Sequence, residues 1–438
     1  MADLLQTLII AITIGSLYAL IALGYTMVYG ILKLINFAHS DVVVLGAWSS
    51  LTAASFLLPR MGVNLDAPTW WASAMVLLLS MGICAVVGLS IERFAYKPIR
   101  RAPRLNALIT AMGVSLLLQN AGQLQYTIVS GINQVSAGHV VERGKDPKKV
   151  LLDQPLTLAK DGHYMLQITP EGSPSPIERI VTAPAGSYAA GQPIDIGDAI
   201  GKKQAAGAAY SLITRSTALK LPFGKMPDRV PNLMPPVIHA DNPAMTNVLF
   251  QHDFVSEQTQ PDGSVRTLIK PLKIEFVHVA IVGTAMLLML GLQLLIFHTR
   301  LGMAMRAVSF NTDYAALMGI PIDRVISLTF VIGAVLAAAA GFLYGQMYGQ
   351  LQQTAHATWT LLGLKAFIAA VVGGIGNIRG AVVGGFLIAF IEQFGGLYGS
   401  RVFDSASAYT DVAVFVLLIL VLMIKPSGLF GSTVKEKV

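Results

Sequence analysis

LGMAMRAVSFNTDYAALMGIPIDRV (Leu301–Val325) stands between two long apolar runs, 277–298 and 325–349. Runs of about 18 or more apolar residues are long enough to cross a bilayer as helices. The connection between them is basic, with Arg300, Arg306 and Arg324, and it carries a short apolar stretch, YAALM, stopped by Gly319. A short helix with a glycine stop outside the membrane is a place where a partner could push on the spans. The rest of the chain agrees with a membrane reading. It is 54% hydrophobic and 13% charged, against about 25% charged in a soluble domain. The net charge of +7 reports orientation in the bilayer before it suggests nucleic acid. The single cysteine, Cys84, can form no disulfide within the chain and no cysteine metal site. MADLLQ carries Asp3 and no Lys or Arg, so the first apolar run is expected to be a retained span.

Nine spans are expected, at 5–31, 40–58, 71–92, 106–124, 277–298, 325–349, 361–378, 380–398 and 411–424. The stretch 361–398 reads either as two short spans or as a re-entrant pair. Arg93, Lys97, Arg100, Arg101 and Arg104 fall between the third and fourth spans, and Lys425, Lys435 and Lys437 in the tail. With the loop at 299–325 they are expected to be cytoplasmic by the positive-inside rule. Parity then places the N-terminus and the long segment 125–275 outside, with Lys33 near the inner face. Trp70 and Trp71 suit an interfacial anchor. The expected fold class is an all-α polytopic membrane protein with a polar, β-rich extracytoplasmic insert. Its parts are an N-terminal membrane half, 1–124, a periplasmic lobe, 125–275, and a C-terminal membrane half, 276–438.

The 125–275 segment is polar and rich in Gly and Pro, without a long 3.6-residue apolar period. HYMLQITP (His163–Pro170) and VLFQHDFV (Val248–Val255) read as strands and PDG (Pro261–Gly263) as a turn.

Gly376, Gly380 and Gly384 recur every four residues, which suits close helix packing in lipid. The alternative is a broken span that lines a substrate path. Polar residues inside spans are costly and are functional candidates. Asn36, His39 and Asp41, in INFAHSD, either line a path or cap and anchor the start of the second span, where Ser40 or Asp41 is an ordinary N-cap. Gln119 and Asn120 end the fourth span as an interfacial pair. Lys365 and Glu392 are expected to snorkel to the interface, with a buried ion pair as the alternative. Asn36, His39, Gln119 and Lys365 are carried forward as candidate path or gate residues. No GxxxxGK[ST] is present, and GDAIGKKQ (Gly197–Gln204) has the wrong spacing. HExxH is absent too, so no catalytic residues and no metal site are expected.

Several stretches then resemble one family in order. GSLYALIALGYTMVYGILKLINFAHSDVVVLGA (Gly15–Ala47) resembles the N-terminal signature of the H-type permease subunit of bacterial branched-chain amino acid ABC transporters. IERFAYKPIRRAPRLNALITAMGVSLLLQN (Ile91–Asn120) is similar to its first basic loop and following span. Leu301–Gly341 resembles its cytoplasmic loop and next span, Leu364–Gly385 its glycine-rich region, and LLILVLMIKPSGLFG (Leu417–Gly431) its C-terminal end.

The resemblance implies an importer subunit for branched-chain or related amino acids in the inner membrane, without its own ATP site. It implies an M-type permease partner, two ATPase subunits that bind ATP, and a periplasmic amino acid-binding protein. It implies that Arg306, Asn311, Ala316, Gly319 and Ile320 form the segment that docks on an ATPase. A plain amphipathic connector is the alternative for that loop. Ser40 and Arg379 depart from the family pattern, and 132–225 reads as extra material before DRVPNLMPP (Asp228–Pro236). That material either docks a binding protein or is a tolerated insertion. Cargo such as urea, short amides or other small polar solutes is the nearest alternative. An ion-driven secondary transporter and a membrane-anchored receptor are the rival classes.

Overall fold

The computed structural model describes residues 2–34, 36–63, 68–100, 102–122, 248–259, 265–399 and 406–431. Between 126 and 233 it describes the strand segments and a few residues beside them. Arg101, Lys435, Lys437 and the expected turn at 261–263 lie outside the described residues. Two compact units are present: Tyr126–Leu221, and the remainder of the chain.

The larger unit contains eleven helices among the described residues. They are α1 (Ala2–Leu32), α2 (His39–Arg60), α3 (Trp70–Ser90), α4 (Arg104–Ala121), α5 (Phe276–His298), α6 (Arg300–Phe310), α7 (Thr312–Leu317), α8 (Ile322–Tyr348), α9 (Ala357–Gly373), α10 (Ile378–Gly399) and α11 (Ala406–Ile424). A single π turn, Ile91–Tyr96, continues α3. Six of the helical stretches are long and apolar enough to cross a membrane, and shorter apolar helices at 105–121, 357–373 and 410–424 stand where the other three spans were expected. The stretch 361–398 is two helices, α9 and α10, joined by a turn.

Helices α1 and α8 form the centre, and both are buried along most of their length. α1 packs on α10, α8, α5 and α9, while α8 packs on α2 and α3. Lipid supplies no hydrophobic force between helices, so close van der Waals approach must hold them. The sequence provides it with small residues. A side chain at Gly341 would collide with Val43 and Ala47 on α2, and one at Gly384 with Ala369 on α9. Gly373 and Gly380 face each other so closely that neither tolerates a Cβ. On the opposite faces, Leu78 and Val86 of α3, Leu116 and Leu117 of α4, and Leu287 and Leu290 of α5 are exposed. An apolar outer face is what a lipid-facing helix presents.

Polar ends are tied down locally. Leu429 N and Phe430 N in the tail donate to Val372 O and Gly373 O, at 2.8 and 2.9 Å, and so satisfy carbonyls at the end of α9. Asn377 Nδ2 donates to Phe430 O at 2.8 Å. The stretch read as DRVPNLMPP contributes Asp228–Arg229, which pairs with Gln350–Leu351, and Leu233 N donates to Gln346 Oε1 at 2.8 Å. The strands Val248–Thr259 and Val265–Glu275 form an antiparallel hairpin that belongs to this unit.

The smaller unit is built of antiparallel strands among its described residues. Its four-stranded sheet runs Gly138–Val141, Ala209–Ile213, Gly162–Thr169, Ile177–Ala183 in spatial order. The strand expected at 163–170 is the third of these, paired from Gly162↔Ala183 to Ile168↔Ile177.

Because Gly341 meets the α2 backbone, Gly341→Leu is expected to destabilise the protein by about 3 kcal/mol or more. Thermal unfolding of the purified protein in detergent measures this. Gly82→Leu, at a position with open space around it, is the control and is expected to leave the midpoint unchanged.

Candidate functional site

The loop between α5 and α8 is built by two caps and one glycine. Thr299 accepts from Gly302 N at 3.1 Å and starts α6. Asn311 is extended (φ −156°, ψ 118°), and its Oδ1 accepts from Asp313 N at 2.9 Å and Tyr314 N at 3.0 Å, which starts α7. Gly319 has φ +78°, where L residues are strained, and Ile320 N closes the end onto Ala315 O at 3.1 Å. The inner side is anchored by buried Met305, Val308 and Ala315, and Ser309 Oγ donates to Gly30 O of α1 at 2.7 Å.

The outer side is apolar and uncovered. Phe310 is 91% exposed, Tyr314 66%, Leu317 82% and Met318 84%. Phe310 ends α6, and extended Asn311 separates it from α7, where Tyr314, Leu317 and Met318, at i, i+3 and i+4, make one helical stripe. Such a stripe ordinarily faces a core. Here the core side is taken by Ala315, so the stripe stands free on a rigid mount and is suited to a groove on a partner.

The five expected docking residues therefore divide by role. Arg306 is exposed and stacks over the Phe297 ring, 5.4 Å from its centroid. Asn311 is occupied as a cap and Gly319 shapes the turn. Ala316 is exposed and Ile320 half-buried. The large contact residues, Phe310, Tyr314, Leu317 and Met318, were not singled out one by one, although YAALMGI marked their face.

An ionic network lies directly behind this segment. Asp323, in the first turn of α8, pairs with Lys97 Nζ at 2.8 Å and Arg100 Nη1 at 2.5 Å. Arg100 also holds the Glu92 carboxylate, which is buried and accepts from Ser327 Oγ at 2.6 Å. Charge-assisted bonds therefore tie the first turn of α8 to the segment that follows α3.

The candidate path residues fall into separate hydrogen-bond networks. Asn36 Oδ1 accepts from Tyr96 Oη at 2.8 Å. His39 is buried against Gly24 and meets the Tyr25 ring edge-on at 4.6 Å. Gln119 Nε2 donates to Asp41 Oδ1 at 2.9 Å. The expectation that Asp41 or Ser40 caps α2 is corrected. Ala38 occupies the cap position with no side-chain bond, and Asp41 reaches across to α4 instead. Lys365 is also corrected, because it does not snorkel. It is buried and pairs with Glu392 at 2.9 Å and Asp411 at 2.7 Å, while Tyr18 Oη donates to Glu392 Oε2 at 2.7 Å. A charge in lipid is held where opposite charges can reach it, and here they come from α10 and α11. Gly380 and Gly384 sit at the α9–α10 contact, but Gly376 lies in the turn before α10 with φ +92°, so its backbone conformation rather than helix packing needs glycine. Among the described residues no group of three His, Cys, Asp or Glu side chains could hold a metal ion.

Comparison with known proteins bears on this geometry. The family described as branched-chain amino acid transport system, permease component, matches residues 7–143 and 243–423. The high-affinity branched-chain amino acid transport system permease protein BraD of Pseudomonas aeruginosa is 32% identical over 99% of this chain and 98% of its own length. The corresponding LivH proteins of Salmonella typhimurium and Escherichia coli are each 31% identical, over 99% of this chain and 97% of their own. No solved structure matches the chain significantly.

Removing Lys365 leaves two carboxylates without their cation. Lys365→Met is expected to cost about 3 kcal/mol of stability, read as a lowered unfolding midpoint. The triple change Lys365→Met, Glu392→Gln, Asp411→Asn is expected to recover most of it.

Proposed function

The chain belongs to the family of branched-chain amino acid transport permease components, and on that premise we propose that it forms half of the translocation path of an importer for branched-chain or related amino acids. It is a multi-pass membrane transport component of an ATP-driven system, and the chemistry of ATP belongs to partner subunits. In this reading α7 docks in a groove of one of two cytoplasmic ATPase subunits. An M-type permease subunit supplies the other half of the path, and a periplasmic binding protein delivers the amino acid. The N-terminus and the 125–275 segment face the periplasm, and the C-terminus faces the cytoplasm. The extra material at 132–225 faces the binding protein.

The observation that carries the reading is the exposed stripe of Tyr314, Leu317 and Met318 on a capped, inwardly anchored helix, with exposed Phe310 ending α6 just before it. Closure of the ATPase pair moves α7. The move passes through Pro321 into α8, and through Asp323, Arg100 and Glu92 into the end of α3. The spans then shift between outward-open and inward-open states. The distribution of carboxylates supports ATP coupling over ion coupling. Glu92, Glu392, Asp411 and Asp41 each bond to an amide or a cation, in place of a proton relay. The amino acid cargo is supported by the names of the full-length relatives.

Leu317→Asp and Met318→Asp place a charge in the proposed contact without touching the core. Each is expected to abolish co-purification of the ATPase subunits and to lower leucine uptake into vesicles about ten-fold or more, with the unfolding midpoint unchanged. Retained ATPase subunits and full uptake in both variants would remove α7 from the docking role. Competition of leucine uptake by excess isoleucine and valine, and not by urea or short amides, is expected for the amino acid cargo.

A further inference from the structure

A cavity of about 590 Å³ opens where α1 and α5 end, bounded also by α6, by the turn into α10 with its first residues, and by the tail. Three cations line it, Lys33, Arg306 and Arg379, and no carboxylate does. None of the three forms an ion pair among the described residues. Lys33 is held in the left-handed backbone region (φ 54°), an uncommon place for a residue with a side chain.

The cations are more than the local helix ends require. The C-termini of α1 and α5 present together about one negative charge. The carbonyls at the end of α9 are already bonded to Leu429 N and Phe430 N, and the N-terminus of α10 adds positive potential. The cavity is therefore an unbalanced cationic site. Its wall is also apolar, because Phe297 and Phe430 both line it and both are substantially exposed. A small soluble anion has no use for exposed rings beside its charge. An amphiphile at the membrane face uses both, and basic pockets between membrane helices suit anionic headgroups.

We propose that the cavity bounded by Lys33, Arg306 and Arg379 binds the phosphate headgroup of an anionic phospholipid, with its chains against Phe297 and Phe430. The site is distinct from the α7 stripe, and the proposal does not depend on which partner α7 meets or on which cargo is carried.

Native mass spectrometry of the complex purified in mild detergent tests this, with lipid-stripped protein then titrated with phosphatidylglycerol, phosphatidylcholine or inorganic phosphate. Wild type is expected to keep phosphatidylglycerol adducts and to bind phosphatidylcholine much more weakly. Lys33→Gln, Arg379→Gln should lose roughly ten- to thirty-fold in phosphatidylglycerol affinity, while Lys33→Arg, Arg379→Lys keeps it. Displacement of the lipid by millimolar phosphate would support the phosphate site and assign its occupant in part to the soluble anion. No displacement would support the lipid alone. Equal binding of phosphatidylcholine, or unchanged affinity in the glutamine variant, would overturn the proposal. The wild-type titrations decide between these outcomes even if the glutamine variant does not fold.

Discussion

Lipid offers no hydrogen bond to a backbone group or a side chain, and this constraint organises the whole larger unit. Thr13, Ser16 and Thr329 bond back to their own helices, but the charged groups placed inside the spans find partners on other elements. Lys365 on α9 finds Glu392 on α10 and Asp411 on α11. Asp41 on α2 finds Gln119 on α4. Glu92, in the turn after α3, finds Ser327 on α8 and Arg100. Such bonds fix which helices are neighbours, and the glycines then let the backbones close to contact. Gly341 brings α8 onto α2, and Gly384 brings α10 onto α9. The polar partners specify the arrangement, and the small residues supply the packing that lipid does not.

The segment between α5 and α8 depends on that rigid frame. α7 has only six residues and would be marginal as an isolated helix. It persists because Asn311 caps it, Gly319 ends it and Ala315 seats it on the frame. Its apolar side is then left for a partner. The Asp323–Arg100–Glu92 network joins the same segment to two spans, which gives a displacement at α7 a route into the membrane. In the proposed reading, the mount and the network together carry the movement of the ATPase subunits into a chain that has no ATP motif of its own.

Much of this was legible in the sequence, for a definite reason. Apolar length alone marks a membrane helix, so the expected spans agree with the helices to within a few residues. The strand read at 163–170 is present at 162–169, and the cap chemistry of Asn311 and Gly319 is local, so it was readable as well. A buried Lys365–Glu392 pair stood as the alternative to snorkelling, but the second partner of that charge was not legible. Lys365 and Asp411 are far apart in sequence, and only packing brings them together. The same holds for Asp41, whose place near a helix start suggested a cap while its partner waits on α4. Gly376 belonged to a four-residue glycine pattern, yet the helix begins only at Ile378, and a repeat cannot reveal a positive φ. The apolar face of YAALMGI was visible as a short stretch, but a stretch cannot say whether its face is buried or free.

The central claim is that the exposed face of α7 is covered by an ATPase subunit in the working assembly. The chain has one cysteine, Cys84, which is buried. In a Cys84→Ser background, a cysteine at Leu317 can therefore be addressed alone, using a thiol-to-amine cross-linker in native membranes, with a cysteine at Leu117, exposed on α4, as the comparison. The account predicts a cross-linked product containing a P-loop ATPase from Leu317→Cys and none from Leu117→Cys. A Leu317→Cys thiol that yields no such product, and that reacts with a water-soluble maleimide equally fast with and without the ATPase subunits, would contradict it.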